Sequence, residues 1–179
     1  MLFRSEIIKA RAQKPVVAVA NSLAASAAYW IGCSASEFYV TPGGEVGSIG
    51  VWQAHFDYSK ALEEEGVKTT LVSAGKFKVE GNPYVPLDPE AQAFMQSRVD
   101  DYYNAFIQAV AVGRGVSVDD VRNGMGEGRV LGADAALVHA RARRGRPPGI
   151  AARTVPPFDG DPRRRLVPAG HQDRRGPGQ

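Results

Sequence analysis

The sequence predicts an α/β protein. Short continuous apolar runs, typified by Val16-Val17-Ala18-Val19-Ala20, alternate with segments of helical period, and that alternation is the signature of strands interleaved with helices. With 179 residues, 44% of them apolar, the chain can build one domain with a real core.

Each element has a local reason. Residues 3–13 read as a helix with Lys9 and Arg11 near its C-terminus, where cations suit the helix dipole. Pro15 blocks further helix, and Val16 to Ala20 follows as a strand of the kind covered on both faces in parallel sheets. Asn21-Ser22-Leu23 turns the chain, and the small residues from Ala25 to Ala35 predict a tightly packed helix. Phe38-Tyr39-Val40 is a short strand and Thr41-Pro42-Gly43-Gly44 a loop. Gly47 to Trp52 alternates glycine with larger residues, as a strand does where another backbone passes close. Asp57 or Ser59 caps a helix through Glu65, which Gly66 ends. Lys68 to Val72 reads as a further strand. Asp88-Pro89-Glu90 is a strong helix start. Ala91, Phe94, Met95, Val99, Tyr102, Tyr103, Phe106, Ile107 and Val110 then form one stripe, stopped by Gly113 or Gly115. That stripe suits core or a subunit interface. Ser117 with Asp120 resembles a capping box for a short helix closed by Asn123-Gly124.

Past residue 140 the pattern fails. Residues 141–179 hold seven Pro, six Gly and no apolar period, and predict a disordered tail. Ten Arg against three Asp leave that tail at +7, so the overall +3 means that residues 1–140 sum to −4. The basic balance belongs to the tail, and nucleic-acid binding by the folded body has no electrostatic support. An Arg-rich tail that binds nucleic acid stays open as a separate reading.

Cys33 is the single cysteine and reads as an inert buried thiol, so a disulfide framework is excluded. The scattered His55, His139 and His171 have no metal-ligand spacing, and neither a metal nor a cofactor is expected. Glycines 43, 44, 47 and 50 match no phosphate loop, and Glu63-Glu64-Glu65 reads as a solvated helix end. The most apolar stretch, Pro15 to Cys33, is interrupted by Asn21, Ser22, Ser26 and Gly32 and does not read as membrane-spanning. Charges near Met1 argue against a secretion signal, which leaves the cytoplasm as the expected location.

The chemistry-bearing pair is Ser26 and Lys78. Ser26 stands where an apolar strand passes into a small-residue helix, and Lys78 lies on a later strand or loop. A serine hydroxyl becomes a nucleophile when a base takes its proton. A lysine is that base when burial favours its neutral form, and Val72, Phe77 and Val79 supply apolar surroundings. Glu80 opposes this and is expected to point away. The Ala27 N–H, at the mouth of the helix, is the natural oxyanion donor. Set against this, a serine among alanines also serves simply as a small packing residue. A Ser26/His55/Asp57 triad is conceivable, with surface polarity and helix capping as the alternative roles of His55 and Asp57.

Five ordered stretches carry a resemblance: Lys14-Pro15-Val16-Val17-Ala18, Ala24-Ala25-Ser26-Ala27-Ala28-Tyr29-Trp30, Gly47-Ser48-Ile49-Gly50-Val51, Gly75-Lys76-Phe77-Lys78-Val79-Glu80-Gly81-Asn82-Pro83 and Gly128-Arg129-Val130. Over residues 14–138 the chain resembles the Ser/Lys peptidases of the signal peptide peptidase and protease IV family (S49), especially the phage capsid-maturation branch. The resemblance implies a ClpP/crotonase-like fold of repeated ββα units. It implies a serine endopeptidase acting on extended polypeptide, with Ser26 as nucleophile, Lys78 rather than Lys76 as general base, and Ser48 orienting the lysine. Gly47, Ile49 and Gly50 are then expected to bind substrate at an open strand edge. The family also implies a homo-oligomeric ring or dome, in which the serine and lysine of some members come from neighbouring subunits. The phage branch implies scaffold and capsid substrates in the prohead. A host signal-peptide peptidase and an inactive assembly module are the alternatives.

Two departures accompany the resemblance. Relatives carry an upstream ββα region whose Ser-Pro-Gly-Gly-like loop completes the oxyanion hole, and this sequence starts after it. Beyond Leu137 a Gly-Leu-Val-Asp-like strand is expected. The Arg/Pro/Gly-rich text found there has the composition of a GC-rich gene read out of frame. The reading is therefore a partial peptidase domain at 1–140 and a possible frameshift product at 141–179.

Overall fold

The computed structural model describes residues 2–136 and 152–154. Its elements are α1 (Leu2–Gln13), β1 (Val17–Ala20), β2 (Leu23–Ala25), α2 (Ala27–Gly32), β3 (Glu37–Val40), β4 (Glu45–Gly47), α3 (Ser59–Glu64), α4 (Pro89–Arg114), α5 (Val118–Gly124), β5 (Val130–Gly132) and β6 (Ala152–Thr154). The mixed α/β reading is right.

The strands form two three-stranded sheets, ordered β1-β3-β6 and β2-β4-β5. β1 and β3 run parallel with Ala18 opposite Phe38, and β2 and β4 run parallel with Ala25 opposite Gly47. β5 joins β4 antiparallel. Each of two successive strand pairs thus sends its first strand to one sheet and its second to the other, with α2 between the pairs. One core cluster draws on both sheets and on α2, α4 and α5, through Tyr29, Cys33, Val40, Val46, Ile49, Phe106, Ile107, Val110 and Val121. Arg11 fastens α1 to this body by donating to the Ser34 carbonyl at 3.1 Å.

The capping signals act as the residues imply. Asp88 accepts from the Ala91 N–H at 2.9 Å, Pro89 opens α4, and Gly115 ends it in the left-handed conformation. Ser117 and Asp120 close a reciprocal capping box on α5. α3 differs: its N-cap is Tyr58, without a side-chain cap, rather than Asp57 or Ser59, although Asp57 accepts from the Ser59 N–H just ahead of the helix and Gly66 follows it at φ 74°.

Other expectations need correction. The helix read at 25–35 is the six-residue α2, because its strained entry at Ser26 and the Cys33–Ala35 turns take up the ends. β1 is not covered on both faces: Val17 and Val19 are exposed. The strand read at 47–52 ends at Gly47, because Gly47 and Ser48 both have positive φ and turn the backbone out of the ladder. No strand forms at 68–72, where the backbone finds no partner and Val72 is 93% exposed.

These last residues belong to a long excursion from the core. Trp52, Phe56, Tyr58, Leu71, Phe77, Tyr84 and Phe94 are all exposed along it. α4 divides accordingly. Phe94 and, at mid-helix, Tyr102 face water, whereas Phe106, Ile107 and Val110 are buried. Apart from the buried Ala91, the apolar stripe joins the main core from Tyr103 onward.

β6 lies parallel to β3, with Tyr39 opposite Arg153. An exposed strand edge offers unpaired N–H and C=O groups to any extended segment, so the tail is not structureless at these three residues. The remaining tail positions, including His139 and His171, lie outside the described residues.

Candidate active site

Parallel strands end together, and ligands of α/β proteins gather at carboxyl ends of strands. Here β2 runs into Ser26 and β4 into Ser48. The Ser26 N–H donates to the Gly47 carbonyl at 2.9 Å, and the Ser48 N–H donates to the Arg129 carbonyl at 2.8 Å. Three residues with positive φ therefore meet at one point: Ser26 at 53°, Gly47 at 115° and Ser48 at 52°.

Ser26 is the notable member. Its φ of 53° with ψ of −121° is a sparsely populated conformation for a residue with a Cβ. Such strain costs about 1–3 kcal/mol and persists where the surroundings impose it, most often at functional sites. A strained strand-to-helix turn of this kind lifts the nucleophile of α/β-hydrolases into solvent. Ser26 is exposed, and its hydroxyl has no hydrogen-bond partner among the described residues. The N–H groups of Ala27 and Ala28 follow in the first turn of α2 without a backbone acceptor. The Ser26 N–H is already committed to the Gly47 carbonyl, whereas the Ala27 N–H beside it has no backbone acceptor among the described residues.

The remaining expected residues fall less simply. Gly47 is buried and paired on both sides, to Ala25 and to Val130. β4 is the central strand of its sheet, so it offers no open edge for substrate. Ile49 is 2% exposed and belongs to the core. Gly50 packs so closely on Gly128 that an added Cβ would lie 3.2 Å from its Cα. Among the described residues the edges of this sheet are β2 and β5, and β2 is the edge that leads directly into Ser26.

Lys78 does not lie in an apolar pocket of its own chain. It sits exposed in a run of turns, with its N–H donating to the Gly75 carbonyl at 3.2 Å. The turns replace the extended segment that would have put Lys76 and Lys78 on one face. Lys76 is engaged elsewhere, 3.3 Å from Glu90 and over the Phe77 ring. Among the described residues the Lys78 ammonium makes no hydrogen bond or ion pair, with Ser26, Ser48 or Glu80. Glu80 is half-buried at the edge of a cavity of about 300 Å³ that Lys78 does not line.

The triad reading fails on contacts. The His55 Nε2 bonds the Asn82 carbonyl at 2.9 Å, so that nitrogen carries its proton as a donor. Asp57 lies one residue before the N-cap Tyr58 and accepts from the Ser59 N–H, and the Ser59 hydrogen bonds hold its carboxyl below its usual range. His55 and Asp57 organise the excursion.

Residue patterns did not reveal how the serine turn is held. Arg114, at the end of α4, is buried and donates Nη1 to the Tyr29 hydroxyl at 2.6 Å. Cys33 lies beside them, and burial pushes its thiol up to about 11. Burial raises the Tyr29 phenol as well, with the Arg114 charge opposing. Native protein at pH 8 should therefore resist a thiol reagent, since only about one thiol in 10³ is ionised there. Denatured protein should react at once, and fast native labelling would show Cys33 to be accessible. Both groups ionise earlier when unfolded, near 9.0 for the thiol and 10.0 for the phenol. The fold should accordingly lose stability as pH rises above about 9.

Comparison with known proteins completes the picture. Residues 8–140 match the model of peptidase family S49. This chain belongs to peptidase family S49. Among relatives of this S49 chain, the capsid assembly protease C of Escherichia phage lambda is 42% identical over 115 residues, covering 64% of this chain and 26% of that protein. The head-tail preconnector protein GP5 of Enterobacteria phage P21 is 40% identical over 115 residues, 64% of this chain and 23% of its own length. Protease 4 of Haemophilus influenzae is 29% identical over 140 residues, 74% of this chain and 22% of that protein. The S49 chain thus spans about a quarter of the phage relatives it matches. Among its described residues no helix is long and apolar enough to cross a membrane.

Proposed function

We propose that this S49 chain is a serine endopeptidase domain, spanning residues 1–140, with Ser26 as nucleophile and Lys78 as general base. The observation that carries the reading is Ser26 itself: exposed, its hydroxyl without a partner among the described residues, and held at φ 53° on a strand-to-helix turn. The pairing of β1 with β3 and β2 with β4 supports a ClpP/crotonase-like ββα repeat.

A substrate strand laid along the free edge of β2 brings its carbonyl to Ser26. The neutral Lys78 amine takes the hydroxyl proton as Oγ attacks that carbonyl. The oxyanion of the tetrahedral adduct is met by the Ala27 N–H. The lysine returns the proton to the departing amine, and water then releases the acyl group by the same route. In this reading Ser48, at the end of the neighbouring strand, orients the lysine once a second copy delivers it.

The exposure of Lys78 and the apolar surface around it support delivery of the base to Ser26 of a second copy. Packing between copies supplies the desolvation that keeps an amine neutral. The phage relatives' names, a capsid assembly protease and a head-tail preconnector, support phage head proteins as the substrate class.

Mixing tests this arrangement. Ser26→Ala and Lys78→Ala chains should each be inactive alone and regain peptide cleavage when refolded together. Wild-type cleavage with a silent mixture would overturn delivery between copies. Undiminished cleavage by either variant alone would overturn the assigned pair.

A further inference from the structure

α4 meets α2 and its C-cap Cys33 through three contacts. The Phe106 and Trp30 rings stack with centroids 4.5 Å apart and an interplanar angle of 6°. Gly113 lies against the Cys33 carbonyl, where an added Cβ would fall 2.1 Å from the oxygen. Arg114 donates to the Tyr29 hydroxyl at 2.6 Å.

The third contact is chemically unusual. Arg114 is only 7% exposed, and among the described residues no carboxylate lies within ion-pairing range of it. A buried guanidinium without an anion pays a desolvation penalty that an apolar residue of similar volume avoids. Its hydrogen bond goes to a neutral phenol, since burial keeps Tyr29 protonated. Packing alone does not call for this residue here.

Its placement does. Tyr29 is three residues beyond Ser26, about one turn along the short helix that Ser26 opens. The Trp30 N–H donates to the Ser26 carbonyl at 3.0 Å, which couples the first turn of α2 to the strained residue. A strained backbone relaxes unless its surroundings hold it. A six-residue helix is too short to hold itself.

We infer that Arg114 is a positioning residue for the nucleophile: through Tyr29 it fixes α2 against α4 and so keeps Ser26 in its strained, exposed conformation. This rests on the reading of Ser26 as nucleophile. Neither Arg114 nor Tyr29 touches the reacting atoms. Arg114 is specific for the role because its rigid fork aims a donor at a fixed point.

The test separates positioning from general stability. Wild type, Tyr29→Phe, Arg114→Met, Arg114→Lys and the Tyr29→Phe/Arg114→Met double variant are compared for thermal midpoint and for the second-order rate of Ser26 labelling by a fluorophosphonate. Labelling is read where every variant is fully folded. Val121→Ala, a core truncation in α5, serves as a control that loses stability away from α2. Tyr29→Phe and Arg114→Met should label at least tenfold more slowly, the double variant no more slowly than Arg114→Met, and Val121→Ala at the wild-type rate. Arg114→Lys should recover only part of the loss. Labelling within twofold of wild type in Tyr29→Phe and Arg114→Met overturns the positioning role and leaves the Ser26 assignment standing. Slowing in Val121→Ala equal to theirs overturns it too, since stability alone then explains the effect. A wild-type protein that shows no labelling beyond Ser26→Ala overturns the nucleophile reading, and the positioning role with it.

Discussion

Ser26→Ala is expected to abolish peptide cleavage while leaving the fold intact, and Ser26→Gly to do the same with a gain in stability. Removing the nucleophile of a serine peptidase costs on the order of 10⁴–10⁶-fold in turnover. Neither replacement disturbs packing, because the Ser26 side chain is exposed and its hydroxyl contacts no partner among the described residues. The two variants differ in backbone cost. Alanine keeps the Cβ that makes φ 53° unfavourable, whereas glycine adopts that angle freely. Ser26→Gly should therefore unfold about 1 kcal/mol later than Ser26→Ala, at the low end of the strain such positions store. Calorimetry on the two variants, beside a cleavage assay, measures both halves. Equal stabilities would remove the strain argument. Retained cleavage would remove the serine.

Gly113→Ala should cost most in stability among single-methyl changes at the described glycines. Its Cβ would lie 2.1 Å from the Cys33 carbonyl oxygen and 3.0 Å from the carbonyl carbon. Both are backbone atoms, so no rotamer change relieves the overlap. Alanine gains about 1 kcal/mol over glycine as a helix former. Overpacking costs about 1–3 kcal/mol and more where the neighbour cannot yield. The overlap wins, with a net loss of about 2 kcal/mol, or roughly 4–8 °C in thermal midpoint for a chain of this size. Gly124→Ala is the contrast: nothing lies within 4 Å of its added Cβ, so the midpoint should hold or rise. If the two variants melt alike, the helices are not in backbone contact at Gly113.

What could be read from residues alone follows the range of the interaction concerned. Asp88, Pro89, Ser117 and Asp120 act within one turn, and their caps form as their spacing implies. The apolar runs of β1 and β3 pair as parallel strands, yet the exposure of Val17 and Val19 depends on what packs outside them, which apolarity does not encode. Ser48 ends β4 early by adopting φ 52°, a choice no serine advertises. Ser26 was legible by its place between strand and helix, but not its strain. The Arg114–Tyr29 bond joins residues 85 apart in sequence, and no local pattern announces it. Lys78 shows the same limit. Its apolar neighbours imply burial, but they stand on a segment that leaves the core, so Val72 and Phe77 face water and Val79 is only half-buried.

The capping of α4 has a consequence for recognition. Its 26 residues extend about 39 Å, and the end nearest Asp88 presents Phe94 to solvent while remaining fully helical. Because Asp88, Pro89 and Glu90 stabilise that end locally, it keeps its shape before anything settles on it. Whatever docks there meets a preformed rod and loses little ordering entropy in the encounter.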